Sequence, residues 1–208
     1  DTDLKVLLIK RKYEPYKGKY AFPGGFVLEH ERTRETVIRE LKEETNITVD
    51  YLEQLYTFSR VDRDPRERIV TVAYYALVNP NKFQILASTD ADSVEWVSVK
   101  MIKNTDIAFD HVGILEYALT RLRNKIKYEP IGFDLLPTEF TLTDLYNLYS
   151  SILVIGVDKR NFFKLVKKME FIKPLKKFET TVKRGKKARY YTFDEKKYLL
   201  AKKNGINF

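Results

Sequence analysis

The chain contains no cysteine among its 208 residues. That excludes disulfides and thiolate-bound metal centres, and it fits a cytoplasmic protein. No apolar run approaches the roughly 18–20 residues of a membrane span, and no secretory signal pattern is present. A membrane partner is therefore not expected. Histidine occurs only as His30 and His111; the first reads as exposed, the second as a helix cap or packing residue. The single tryptophan, Trp96, reads as sheet packing. No internal repeat is evident. The first residue is Asp1 rather than Met, and Leu4-Lys5-Val6-Leu7-Leu8-Ile9 follows at once as a strand pattern. The sequence is thus expected to begin inside a domain, short of its first strand and of any N-terminal address.

What is present is enough for ordinary cores: 44% of the residues are hydrophobic, so disorder is not expected. The charge is uneven. Residues 1–128 hold 21 Lys and Arg against 20 Asp and Glu, whereas residues 129–208 hold 17 against 9. A neutral first part joined to a basic second part points to two domains, the second facing a polyanion.

The densest motif runs from Gly25 to Glu44. Thr36 to Thr45 reads as a helix, with Val37, Ile38 and Leu41 as its apolar stripe. Glu40, Glu43 and Glu44 stand at i, i+3 and i+4 and project from one face. Like charges at that spacing repel by about a few tenths of a kcal/mol per pair, and a bound cation relieves this. Three carboxylates on a rigid helix suit Mg²⁺ or Mn²⁺. Pro23-Gly24-Gly25 breaks the chain just before the helix, where glycine permits close backbone approach to a ligand.

Elsewhere, strands are expected at residues 4–9, 47–58, 69–78 and 93–99, and a helix over 112–127 with Ile114, Leu115, Ala118, Leu119 and Leu122 on one side. Tyr128 to Thr138 carries Pro130, Gly132 and Pro137 and marks the domain junction. Its apolar residues, Phe133 and Leu136 among them, suggest docking on a domain. Thr141 to Asp144 has capping-box spacing. Asp158 can cap a second helix, Lys159 to Met169, whose apolar residues are Phe162, Leu165, Val166 and Met169. Phe171-Ile172 and Tyr190 to Phe193 read as strands around a basic tip, Lys183 to Lys187.

Helix, turn, helix and basic hairpin is the order of a winged helix. Lys159, Arg160 and Asn161 occupy the helix end that reaches base edges, with Lys164 behind them. Arg184, Lys186 and Lys187 on the wing would meet phosphates. Charge alone does not choose DNA over RNA. In the first part, Arg63, Arg66 and Arg68 form the expected phosphate or dimer loop, and Gly24 is a further candidate for ligand binding.

Gly25, Glu31, Arg39, Glu40, Leu41, Glu43, Glu44 and Ile47 resemble the Nudix box, G-x5-E-x7-R-E-U-x-E-E-x-G-U. Asn46 replaces its second glycine; Asn is the next best residue for a left-handed helix end. The whole chain is similar to bacterial Nudix-related transcriptional regulators. Beyond the box, Arg63-Asp64-Pro65-Arg66, Ala108-Phe109-Asp110-His111, Glu129-Pro130-Ile131-Gly132-Phe133 and Asp158-Lys159-Arg160-Asn161-Phe162 carry that resemblance. It implies an α/β/α Nudix sandwich with a mixed sheet over residues 1–128, and a small winged helix-turn-helix domain over 129–208. It further implies a homodimer that holds operator DNA and senses a small effector, ADP-ribose or a related nucleotide, or a sugar such as L-arabinose. Glu40, Glu43 and Glu44 would hold the metal beside Gly25, and Arg39 would orient a glutamate. The alternative is a Mg-dependent pyrophosphohydrolase of nucleoside diphosphate derivatives with a basic accessory domain. No general base is assigned.

Overall fold

Leu7, Leu8 and Ile9 are buried in succession, so strand β1 (Lys5–Arg11) is covered on both faces. The structure, a computed structural model, describes residues 3–49, 51–87, 91–126, 129, 131–153, 158–180 and 187–203. The chain divides into two compact units, Asp3–Arg121 and the residues from Leu122 onward. That division precedes the expected boundary at 128. Arg123 donates from Nε to the Ile152 carbonyl at 3.3 Å, which ties this part of the chain to the second unit.

In the first unit β1 lies between β2 (Tyr20–Ala21) and β5 (Ala91–Ser98), antiparallel to both. Trp96 stands opposite Leu7 in this ladder. Helix α1 (Thr33–Thr45) carries the acidic motif. Strands β3 (Glu53–Phe58) and β4 (Thr71–Tyr75) form a second antiparallel pair. Among the described residues, the parallel component of the expected mixed sheet is a bridge between Tyr20 and Ile107. Helix α2 (His111–Lys125) buries Ile114, Leu115 and Leu122, three of the five positions expected on its apolar side.

Helix α1 begins three residues before the expected Thr36 because Glu35 supplies a cap: its carboxylate accepts from the Arg32 backbone N–H at 2.8 Å. The buried residues of α1 are Thr36 and Thr45 rather than the Val37–Ile38–Leu41 stripe, which is half-buried. Their hydroxyls are satisfied locally. Thr36 donates to Glu31 at 2.9 Å and Thr45 to the Leu41 carbonyl at 2.6 Å. Asn46 ends the helix at φ 61°, ψ 17°, left-handed as expected, and its backbone N–H reaches Lys42.

The second unit comprises β6 (Phe140–Thr141), α3 (Leu142–Leu153), α4 (Lys159–Val166), β7 (Ile172–Phe178), β8 (Arg189–Phe193) and α5 (Glu195–Lys203). Its sheet order is β6-β8-β7, so a short third strand joins the expected hairpin. Thr141 ends β6 and also caps α3: its N–H and hydroxyl meet the Asp144 carboxylate at 2.8 and 2.9 Å, and Asp144 N–H returns to its oxygen at 3.2 Å. Phe140, Leu145, Phe162, Val166 and Phe171 build the core. Phe133 and Leu136 of the junction dock against it, and Phe133 stacks on Phe193 at 4.3 Å. Helix α4 stops at Val166 rather than Met169, since the chain must turn to bring Phe171 and Ile172 into the core. Helix α5 is not expected from the sequence pattern. Leu199 and Leu200 of that helix are exposed, and its inward contacts are made by Tyr198, on Phe171 and Phe193, and by the small Ala201, so the most apolar residues of the segment do not mark its buried side. Among the described residues no helix is long and apolar enough to cross a membrane.

Candidate functional site

The acidic helix is organised around Arg39. Its guanidinium grips Glu31 through two hydrogen bonds, Nε to Oε1 at 2.6 Å and Nη2 to Oε2 at 2.9 Å. This is the bidentate role expected for an arginine that positions a glutamate. The same guanidinium donates from Nη1 to Glu40 at 2.6 Å and to Glu43 at 3.2 Å. Glu31 also accepts from the Thr36 hydroxyl and the Leu28 N–H. Arg39 foremost, then these donors, hold the Glu31 carboxyl at a pKa of about 2. The Glu31 pair raises that of Arg39 in turn. His30 is exposed, as expected.

Gly24 and Gly25 meet this helix at close range. The Gly24 N–H donates to Glu44 Oε2 at 2.8 Å. A Cβ on Gly25 would lie 2.2 Å from Glu40 Oε1, so only glycine lets the backbone approach that carboxylate. Glu40, Glu43 and Glu44 therefore share a face, but Arg39 occupies the first two and Gly24 orients the third. Among the described residues no three acidic or histidine side chains converge as a metal cage. The donor set itself, carboxylate oxygens beside a glycine backbone, fits a hard divalent ion.

The three arginines of the expected phosphate loop have different fates. Arg63 is buried and bidentate to Asp110, at 3.0 and 2.8 Å, with a further bond to the Thr71 hydroxyl. It holds the fold together at this point. Arg66 pairs with Asp64 through Nε at 3.0 Å and Nη2 at 2.8 Å, which raises its pKa and lowers that of Asp64. Its side chain is 44% exposed. Arg68 is exposed and donates to the Arg60 carbonyl at 3.1 Å.

Arg11 and Phe109, unexpected from the sequence, adjoin Arg66 in this unit. The guanidiniums of Arg11 and Arg66 lie 4.8 and 5.3 Å from the Phe109 ring centroid. Burial, then the neighbouring Arg66, lowers the Arg11 pKa. Phe109 sits at φ 55°, a conformation that costs a non-glycine residue about 1–2 kcal/mol. Its contacts with both arginines and with Tyr16, edge-on at 4.9 Å, offset that cost. The only sequence signal was Ala108-Phe109-Asp110-His111 as a block. His111 accepts from the Phe22 N–H on Nδ1 at 3.1 Å and stacks on that ring. Burial pushes its pKa down to about 4, so it is neutral and anchors the segment leading into Gly24.

In the second unit Lys159, Arg160, Asn161 and Lys164 are all exposed on α4. Asp158 caps that helix by accepting from the Asn161 N–H at 2.7 Å. Lys159 lies over the Tyr146 and Phe163 rings at 5.2 and 5.7 Å. Lys187 is exposed at the start of the returning wing. Arg184 and Lys186 lie outside the described residues.

Residues 1–118 match the NUDIX domain, and residues 132–193 match the NrtR DNA-binding winged helix domain. The ADPR responsive transcriptional repressor NtrR of Acinetobacter baylyi is 40% identical over 161 residues, which cover 76% of this chain and 64% of that repressor. The chain thus spans less than two thirds of that relative's length. Shewanella oneidensis NrtR, solved in complex with a 27mer DNA, is similar with a TM-score of 0.79 at 30% identity, over 96% of this chain and 90% of that one. The NUDIX domain of the same protein, solved with ADP ribose, gives 0.55 at 36% identity, over 59% of this chain and 80% of that one. With its Nudix box placed on α1 and its winged helix built around α3 and α4, the chain belongs to the Nudix family, in the branch that joins this domain to an NrtR-type DNA-binding winged helix.

Proposed function

We propose that this chain is a cytoplasmic, ADP-ribose-responsive transcriptional repressor that binds operator DNA as a homodimer. The observation that carries the reading is the cationic outer face of α4, with Lys159, Arg160, Asn161 and Lys164 exposed, in a chain whose other unit holds a charged Nudix box. The relatives' ADPR response and DNA complex support it. Lys187, with Arg184 and Lys186, would meet phosphates, and the N-terminal residues of α4 would meet bases. In the first unit, exposed Arg66 and Arg68 are the members of their loop that would reach the effector's phosphates. Arg63 would act by holding Asp110.

Nudix hydrolases generally use divalent metal ions. Here Glu40, Glu43 and Glu44, beside the Gly25 backbone, would hold Mg²⁺ or Mn²⁺. When bound, the ion would neutralise pyrophosphate charge and acidify a water. Arg39 would release Glu40 and Glu43 while keeping Glu31. Hydrolysis of ADP-ribose is a second reading, favoured by the close Gly25–Glu40 approach and by the presence of every charged box position.

The test is binding of the full chain to the DNA upstream of its own gene, with and without ADP-ribose. Sequence-selective binding that ADP-ribose weakens is expected. Because linkage is reciprocal, a tenfold loss of DNA affinity, about 1.4 kcal/mol, must appear as a tenfold loss of ADP-ribose affinity on DNA. No selective binding under either condition, with Mg²⁺-dependent release of AMP from ADP-ribose, would replace the repressor by the hydrolase.

A further inference from the structure

Helix α4 holds one residue that neither its core nor its charge explains. Phe162 and Val166, at i and i+4, are buried and attach the helix to the domain. Asn161 and Leu165, at i and i+4, lie beside that buried face and are exposed, as is Lys168 just past the end of the helix. Leu165 is 42% exposed, although the fold already has its anchors in Phe162 and Val166. It lines a surface depression of about 470 Å³ with Asp158, Asn161, Phe162, Lys164 and Lys168. An apolar side chain ringed by lysines gains nothing in water, where another lysine would serve solubility better.

Resting on the DNA-binding reading above, we propose that Leu165 contacts the C5-methyl group of a thymine in the operator's major groove. It would thereby select thymine over cytosine one helical turn beyond Asn161. The charge pattern favours this occupant over another protein. Lys164 and Lys168, four residues apart, lie to one side of the leucine, where their charges suit the phosphates along the edge of a groove. Arg160 and Asn161 precede it at the end of the helix that reads base edges. The thymine methyl is the apolar feature that the major groove displays, and a leucine recognises it by burial rather than by hydrogen bonding.

The probe is a duplex that the full chain itself enriches from random-sequence DNA. Each thymine is replaced in turn by deoxyuridine, which removes the methyl and keeps every hydrogen bond. For the unmodified chain, one thymine per half-site is expected to show a loss of about fourfold, the factor that burial of one methyl supports. In Leu165→Ala that penalty should vanish, and the variant should bind thymine and deoxyuridine duplexes alike. Leu165→Gln, which keeps size and solubility, should behave the same way. Leu165 is not one of the buried residues that anchor the helix, and retained salt-dependent binding to unrelated DNA should verify that both variants fold. No deoxyuridine penalty at any thymine, or a penalty that persists unchanged in Leu165→Ala, would overturn the proposal. So would a change of oligomeric state in Leu165→Ala with the penalty intact, because the leucine would then pair protein copies. A chain that enriches no sequence at all fails at the repressor reading itself, before the leucine is tested.

Discussion

Gly25 lies so close to Glu40 that a Cβ built on the glycine would stand 2.2 Å from the carboxylate Oε1. The clash is with the far end of a flexible side chain, not with backbone. Gly25→Ala should therefore fold with nearly unchanged thermal stability while displacing Glu40 from its place beside Arg39. Mn²⁺ affinity, measured by titration calorimetry, should fall at least tenfold. Unchanged Mn²⁺ affinity in the alanine variant would remove Glu40 from the ion's donors.

The Arg63–Asp110 pair should act as a structural clamp. Their side chains are only 4% and 14% exposed, and removing one partner strands the other charge. Arg63→Ala should cost about 3–5 kcal/mol in urea unfolding. Arg63→Lys should recover part of this, since an ammonium cannot reproduce the two-pronged grip. A loss below about 1 kcal/mol for the alanine variant would place the arginine among exposed pairs.

Two acid-sensitive windows are expected, and they are separate. The folded His111 has its pKa lowered by burial from 6.5 to about 4. The unfolded chain takes up this proton first, so stability is complete above about pH 6.5 and is lost as pH falls towards 4. Glu31, lowered from 4.5 to about 2 chiefly by Arg39, contributes stability above about pH 4.5 that disappears as pH falls through 2. Unfolding midpoints measured from pH 7 to 3 should therefore flatten first in His111→Gln. The difference between the unmodified chain and Glu31→Gln should narrow only at the acid end. Coincident windows would contradict the opposite environments of these two groups.

On DNA, Arg160 and Lys187 should fail differently. Arg160→Ala should cost about 1–3 kcal/mol on the selected site and relax base preference there. Lys187→Ala should weaken binding to all sequences alike and reduce the salt slope by about one unit. Fluorescence anisotropy across a salt series separates the two. The reverse pattern would mean that α4 is not the element in the groove.

Local spacing was enough for much of this molecule. The acidic face of α1, the left-handed Asn46, the Thr141–Asp144 cap and the Asp158 cap each depend on residues within a turn or two of one another. Their chemistry is therefore written in consecutive sequence. The charge asymmetry likewise separated the basic unit without any knowledge of its packing. The paired Arg63 and Asp110 lie 47 residues apart, and Phe22 and His111 lie 89 apart. Only the folded chain brings such partners together, so the three arginines of one loop looked equivalent until burial distinguished them. Phe109 at positive φ and Gly25 against Glu40 are decided by close packing in three dimensions, to which periodicity is blind. The same holds for Leu165. Its helical spacing assigned it to the core, but the rotation of α4 fixed by Phe162 and Val166 turns it outward among lysines. A side chain on an apolar stripe is buried only where a neighbouring element covers it, and tertiary structure alone supplies that neighbour.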